Sequence, residues 1–169
     1  MSRAFVKEDA AGDDVLVPPR APLPVGVANL VTPRGLRLLR AERAALVSER
    51  AALESSSAAE ATRELAAVTS RLEGLEARLL SAELVEPRSG AVDEVRLGRR
   101  VTLRSEGGRT LRFTLVGVDE ADPAAGRIAF TAPTAAAVLG RSVGEQVRVT
   151  LAAVERRYAV VEVAVDEAD

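Results

Sequence analysis

The side chains of this chain that could do chemistry are carboxylates, hydroxyls and arginines, because its 169 residues include neither cysteine nor histidine. Their absence excludes a structural disulfide, a zinc finger, a cysteine nucleophile and a Ser-His-Asp triad. Lys7 is the only lysine, which argues against Schiff-base chemistry and against a phosphate-binding P-loop. The sequence therefore directs attention to its acidic and arginine-rich segments.

Three glutamates flank a run of serines at positions 55–57 and are the candidate acids of this sequence. They are Glu54, Glu60 and Glu64. Ser57 and Glu60 have the spacing of a capping box, and Glu64 is placed for an ion pair with Arg50 across two helices. Because surface glutamates on helices are common, these structural roles compete with metal ligation.

Two helices are predicted to position these acids. Thr32 followed by Pro33 has the form of a helix start, and leucines recur every seven residues at Leu39, Leu46 and Leu53. After the serines, apolar residues recur in steps of three and four, which is the pattern of a coiled-coil face. This second series is Ala58, Ala61, Leu65, Val68, Leu72, Leu75, Leu79 and Ala82. Because the connecting loop is short, the pattern predicts an antiparallel helical hairpin over residues 30–86.

The hairpin lies between a proline-rich tail and a β-rich domain. The tail, residues 1–29, holds four prolines within positions 18–24, and proline blocks both helix and interior strand. Residues 87–169 predict three strands, a short helix that begins at Pro133, and two further strands. The expected fold class is α+β, with a mainly antiparallel sheet that carries one helix on one face.

The charge balance limits the partners that the sequence suggests. The 23 basic and 25 acidic residues give a net charge of −2 at pH 7, which argues against a general DNA-binding protein. With no tryptophan, one tyrosine and three phenylalanines, a base-stacking surface is not expected. A cluster of arginines is interpreted as a solvated strand face balanced by acids such as Glu106, with a contact to a protein partner or a nucleic acid as the alternative. The cluster comprises Arg99, Arg100, Arg104, Arg109 and Arg112.

No apolar run approaches the 18 residues that a membrane span requires. Acidic residues near the beginning, including Asp13 and Asp14, stand where a secretory signal would need an apolar stretch. We therefore expect a cytoplasmic protein without membrane contact.

Three segments resemble the bacterial Gre family, the GreA/GreB transcript-cleavage factors. Residues 29–36 (NLVTPRGL) resemble the family's opening, in which a Thr-x-x-Gly turn starts the first helix of its coiled coil. Residues 116–122 (VGVDEAD) resemble its VG-DEAD segment, and residues 131–145 resemble its SP-A-ALLG…VGD segment. In this order around a helical hairpin, the resemblance covers about residues 29–163.

The resemblance implies a C-terminal domain with an FKBP-like fold that docks on RNA polymerase at the rim of the secondary channel. The helical finger would enter the channel, where acids at its tip would help the polymerase to hold a second Mg²⁺ that activates water. The implied docking residues are Asp119, Glu120, Asp122, Thr131, Ala132 and Pro133. Turn capping by the three acids and helix initiation by Pro133 are alternative roles.

On this view the protein is not itself an enzyme and holds no cofactor or metal in isolation, since any Mg²⁺ belongs to the polymerase active site. We expect a monomer that does not bind DNA stably by itself.

The finger tip departs from the family pattern of Asp-x-x-Glu-Asn, because residues 54–64 contain no aspartate. The finger is also predicted to be shorter by roughly two turns per arm, on the order of 10 Å. We therefore expect a polymerase-binding regulator without strong stimulation of cleavage. The alternatives are a cleavage factor that uses its tip glutamates, a coiled-coil adaptor with another partner, and a prolyl isomerase. The last would need an aromatic pocket built from Phe113, Phe130 and Tyr158.

Overall fold

A computed structural model describes residues 20, 22–56, 60–86 and 93–166 of the chain. Most of the proline-rich tail and the predicted capping-box residue Ser57 lie outside the described residues. The element order is two helices framed by two short strands, followed by a five-stranded sheet with one helix. This arrangement confirms the predicted α+β fold class.

The helical hairpin consists of α1 (Pro33–Glu54) and α2 (Ala61–Leu80). Thr32 is the N-cap of α1, and its hydroxyl accepts a hydrogen bond from the Gly35 amide at 2.9 Å. The predicted seam is buried between the two helices, which confirms the antiparallel hairpin. Its buried members are Leu39, Leu46, Val68, Leu72 and Leu75. No helix within the described ranges is long and apolar enough to cross a membrane.

The second helix ends earlier than the sequence predicted. It stops at Leu80, and the chain then forms a strand, β2 (Ala82–Leu84), which pairs in parallel with β1 (Asn29–Val31). The side-chain amide of Asn29 donates to the Arg78 carbonyl at 2.8 Å and to Ser81 Oγ at 3.1 Å. Because this buried amide binds the last turn of α2, the chain leaving the helix runs beside the chain that enters α1.

The C-terminal domain contains one sheet with the strand order β5-β4-β3-β7-β6. Its strands are β3 (Arg99–Ser105), β4 (Thr110–Val116), β5 (Arg127–Ala129), β6 (Gln146–Leu151) and β7 (Val154–Val165). All neighbouring strands are antiparallel except β4 and β5, which are parallel because two 3-10 turns lie between them. The predicted order of strands and helix is confirmed, and the parallel edge strand is the difference.

One face of this sheet is covered by α3 (Pro133–Val138), which buries Ala135 and Val138 in the domain core. The core residues of the strands alternate along the chain, as in Val101 and Leu103 of β3. The intervening residues therefore lie on the opposite face of the sheet. That face holds the polar side chains of the strands.

Candidate functional site

The finger tip is formed by the end of α1 and the start of α2, and its three candidate acids are exposed. Glu54 forms an ion pair of 3.5 Å with Arg50, one turn earlier on the same helix. This pair replaces the predicted contact between Arg50 and Glu64. Glu60 is the N-cap residue of α2 but makes no side-chain capping bond. Among the described residues, no group of three or more acids is placed to hold a metal ion.

A buried polar cluster joins the hairpin to the C-terminal domain, and we call it the junction. Glu120, which follows β4 in a 3-10 turn, is only 5% exposed. Its carboxylate accepts a hydrogen bond from the Thr32 hydroxyl and pairs with Arg34 at 2.9 Å and with Arg127 at 3.1 Å. One carboxylate therefore contacts the N-cap of α1, its first turn and strand β5.

Asp119 extends the junction to the second helix. Its carboxylate pairs with Arg78, near the end of α2, at 3.3 Å, and it also accepts a hydrogen bond from Arg20. Arg20 in turn reaches Glu42 of α1 at 2.5 Å. Burial lowers the pKa of Arg20, but the hydrogen bonds to Glu42 and Asp119 outweigh this effect and raise the pKa overall. The guanidinium of Arg20 therefore stays charged and links α1 to the turn, while Arg78 links α2 to the same Asp119 carboxylate.

The same cluster continues to the end of the last strand. Arg127 pairs with Asp166 at 3.0 Å, and Asp166 pairs with Arg100 of β3 at 2.5 Å. Asp166 is buried despite its position beyond β7. Because its partners lie on β3 and β5, Asp166 ties the end of the described chain to two other strands.

Two glycines allow the close approach that the junction requires. A β-carbon on Gly35 would lie 2.9 Å from Glu120 Oε2, and one on Gly117 would lie 2.7 Å from the Leu30 carbonyl oxygen. Both separations are shorter than real β-carbons tolerate. The Thr-x-x-Gly segment and the VGVDEAD segment, which are far apart in the sequence, are therefore the two halves of one contact.

The predicted docking residues divide into two groups. Asp119 and Glu120 face the hairpin inside the junction, so their carboxylates do not form an outward surface. Asp122 is exposed and caps the next turn by accepting from the Ala125 amide at 3.2 Å. Pro133 is exposed at the start of α3, and Thr131 and Ala132 before it are half-buried.

Exposed apolar side chains follow α3. Leu139 and Val143 are each 43% exposed, on either side of a turn. Within this turn, the Ser142 amide donates to the Glu145 carboxylate at 2.5 Å, and Arg141 pairs with the same carboxylate at 3.4 Å. The Ser142 bond, helped by Arg141, lowers the pKa of Glu145. These contacts fix the conformation of the turn that carries the two exposed apolar side chains.

Several junction residues were missed by sequence reasoning. They are Arg20, Arg34, Arg78, Arg127 and Asp166. One signal was present, because Arg78 lies beside the apolar seam of α2, where a charged side chain is out of place. The partners of the others depend on contacts between residues that are far apart in the chain.

Residues 89–165 match the model of a protein family described as "Transcription elongation factor, GreA/GreB, C-term". Transcription elongation factor GreA of Sphingopyxis alaskensis is 30% identical over 86 residues, which are 51% of this chain and 54% of that protein. The corresponding protein of Leuconostoc mesenteroides is 42% identical over 74 residues, 42% of this chain and 45% of its own length. The chain thus spans about half the length of the curated relatives it matches.

A solved structure of the transcription elongation factor GreA/GreB from Nitrosomonas europaea aligns with 82% of this chain and 98% of its own. It shows 22% identity and a TM-score of 0.41. The C-terminal domain of this chain is similar to the C-terminal domain of GreA/GreB factors, and the resemblance predicted from the three segments is confirmed.

Proposed function

We propose that this chain binds RNA polymerase through its C-terminal domain and regulates transcription from the secondary channel, without strong stimulation of transcript cleavage. The observation that carries the proposal is the match of residues 89–165 to the GreA/GreB C-terminal domain. In this proposal the polymerase performs all chemistry and the chain is a regulator, not an enzyme.

The docking surface is proposed to centre on α3 and the turn that follows it. Pro133 is exposed at one end of the helix, and Leu139 and Val143 are exposed at the other. Apolar side chains in such a patch supply much of the binding energy at protein interfaces. Asp119 and Glu120 act indirectly here, because they hold the finger at a set orientation to the docking domain.

The proposed weakness of cleavage stimulation is inferred from the structure of the finger tip. Glu54 is engaged by Arg50, and α2 is 20 residues long, or about 30 Å.

One observation favours a second candidate, a cleavage factor. Glu60 and Glu64 are both exposed and stand four positions apart at the start of α2, so their carboxylates share one face. Two carboxylates on one face suit the one or two protein ligands that Mg²⁺ commonly takes.

Transcript cleavage in a backtracked elongation complex tests the proposal. An authentic cleavage factor drives the reaction while this protein is titrated in. Slower cleavage is the expected result, because the two proteins would compete for one channel. Faster cleavage would instead support the second candidate, and no change at a large excess over the cleavage factor would overturn polymerase binding.

Two pairs of variants separate the candidates. Glu60→Ala with Glu64→Ala should leave competition unchanged under the proposal and should remove cleavage under the second candidate. Glu49→Ala with Glu73→Ala is the matched control, since both acids are exposed on the finger but lie away from the tip. For docking, Leu139→Glu should weaken competition, whereas Val154→Glu, at an equally exposed apolar site, should not.

Burial argues against a coiled-coil adaptor and against a prolyl isomerase. Leu72 and Leu75 are buried within the hairpin, so the seam that an adaptor would offer to a partner is already occupied. Phe113 and Tyr158 belong to the domain core, which leaves Phe130 as the only partly exposed member of the three aromatic residues that an isomerase pocket would need. Neither arrangement favours these functions.

A further inference from the structure

The face of the C-terminal sheet opposite α3 carries a stripe of arginines. Strand register places Arg148 directly opposite Arg157 on β6 and β7, and Arg104 opposite Ala159 one row further along. Arg112 follows on β4, opposite Thr102. These four arginines, with Arg109 in the β3–β4 turn, form what we call the arginine face. The stripe crosses four strands diagonally and is about 20 Å long, from the usual strand and residue spacings.

All five arginines are exposed, and few of them are neutralised. Arg148 approaches Glu155 only to 4.0 Å, and both side chains are more than half exposed. The other four form no ion pair with any residue of the described ranges. Glu106, Glu155 and Glu162 lie beside the stripe on this side of the domain, and Asp166 lies further along it, paired with Arg100 and Arg127. Glu162 accepts a hydrogen bond from Thr102, so it is engaged within the sheet.

The pairing of Arg148 with Arg157 is unfavourable for the isolated fold, because like charges directly opposite each other on a sheet repel. The two side chains also line a shallow depression together with Glu106, Gln146 and Val147. An anion placed in this depression would remove the repulsion. The net charge of −2 for the whole chain conceals this local excess of positive charge.

The other exposed side chains on this face indicate which kind of anion the arginines would bind. Thr110, Thr150 and Gln146 are exposed there and can donate hydrogen bonds. An acidic protein partner would be expected to meet an apolar centre, but Val161, 36% exposed at the bulge of β7, and Val147, buried at the depression, do not form one. Arginine, threonine and glutamine side chains commonly donate hydrogen bonds to phosphate oxygens. Without aromatic residues the face cannot stack bases, so its binding would be independent of sequence.

We propose that the arginine face binds the phosphodiester backbone of a nucleic acid. The proposal concerns a surface separate from α3 and does not depend on polymerase binding. It departs from the expectation, based on net charge, that the chain does not bind DNA stably by itself.

Fluorescence anisotropy with labelled 20-nucleotide single-stranded RNA, single-stranded DNA and duplex DNA tests this, using the full chain at about 50 mM salt. Arg148→Gln with Arg157→Gln should raise Kd by at least about tenfold and should lower the salt slope by roughly 1.4 on single strands, at about 0.7 per lost phosphate contact. Glu106→Gln should lower Kd by about two- to threefold, because it removes a carboxylate from the depression. The three probes show which nucleic acid the face prefers.

Two controls remove arginines from other surfaces, and the first of them matches the loss of two charges. Arg37→Gln with Arg40→Gln removes two exposed arginines from α1, and Arg156→Gln removes a neighbour of Arg157 that points to the other side of β7. Both should keep Kd within about twofold of the unaltered chain. Equal losses in the controls, no saturable binding at low salt, or binding to polyglutamate in place of the nucleic acids would overturn the proposal and leave the polymerase proposal untouched.

Discussion

Gly35 and Glu120 lie so close together that a β-carbon on residue 35 would stand 2.9 Å from Glu120 Oε2. Gly35 is in the first turn of α1, and Glu120 belongs to the C-terminal domain. The Glu120 carboxylate occupies the space above this turn and accepts a hydrogen bond from the Thr32 hydroxyl. The oxygen of the same hydroxyl accepts a hydrogen bond from the Gly35 amide. The start of the finger and the C-terminal domain are therefore built as one unit.

Replacing Gly35 by alanine should destabilise the protein, because the added methyl group would displace the Glu120 carboxylate. We expect a loss of about 1–3 kcal/mol in the free energy of unfolding, measured by urea denaturation. Gly74→Ala is the matched control. Gly74 lies inside α2 with no atom within 4 Å of the added β-carbon, so alanine should stabilise the protein there by up to about 1 kcal/mol. A gain at both positions would contradict the close contact.

Removal of the negative charge at Glu120 should disrupt the junction. Glu120→Gln leaves the partly buried guanidinium groups of Arg34 and Arg127 without their shared carboxylate. The expected cost is about 3–5 kcal/mol, since one partner of a buried ion pair is lost. Glu155→Gln, in a pair of 4.0 Å that is mostly exposed, should change stability by less than about 0.5 kcal/mol. Similar values for the two variants would show that the junction is energetically unimportant.

The turn between β6 and β7 contains backbone strain that can be removed. Ala152 and Ala153 both have positive φ values, 48° and 65°, a region that disfavours residues with a β-carbon. Ala152→Asn with Ala153→Gly supplies the residues that such two-residue hairpins prefer and should stabilise the protein by about 1–2 kcal/mol. Thermal unfolding would measure the gain. Ala136→Gly, on the exposed side of α3, should instead lower stability by about 1 kcal/mol.

Glu145 should make the stability of the turn after α3 dependent on pH. Its pKa in the folded protein lies below the ordinary value of 4.5, chiefly because the Ser142 amide donates to the carboxylate. A lowered pKa means stabilisation that is present above the unfolded value and is lost as the pH falls through the folded one. Glu145→Gln should therefore be less stable than the unaltered protein at pH 7, and the difference should shrink below pH 4.5. Urea midpoints across this range would detect it, and a difference that is constant with pH would argue against the role of the charge.

Local patterns accounted for most of the elements. The steps of three and four from Ala61 to Leu79 predicted α2, and the Thr32–Pro33 pair placed the start of α1 correctly. The alternation of Val101 and Leu103 predicted β3. Each of these features depends on residues within a few positions of one another, so the chain's own sequence contains the information.

The partners of the charged residues were decided by the tertiary structure. Asp119 and Glu120 have the sequence of ordinary turn acids, and only packing against distant residues, such as Arg34 at 86 and Arg20 at 99 positions away, turns them inward. The early end of α2 at Leu80 has the same cause, because Asn29 binds its last turn from 49 positions away. Even the diagonal stripe of arginines exists only once the distant strands β3 and β7 pair and set Arg104 opposite Ala159. The sequence by itself thus determined the helices, the strands and the family segments, whose physics is local. The junction and the arginine face depend on distant contacts, which the folded chain alone can establish.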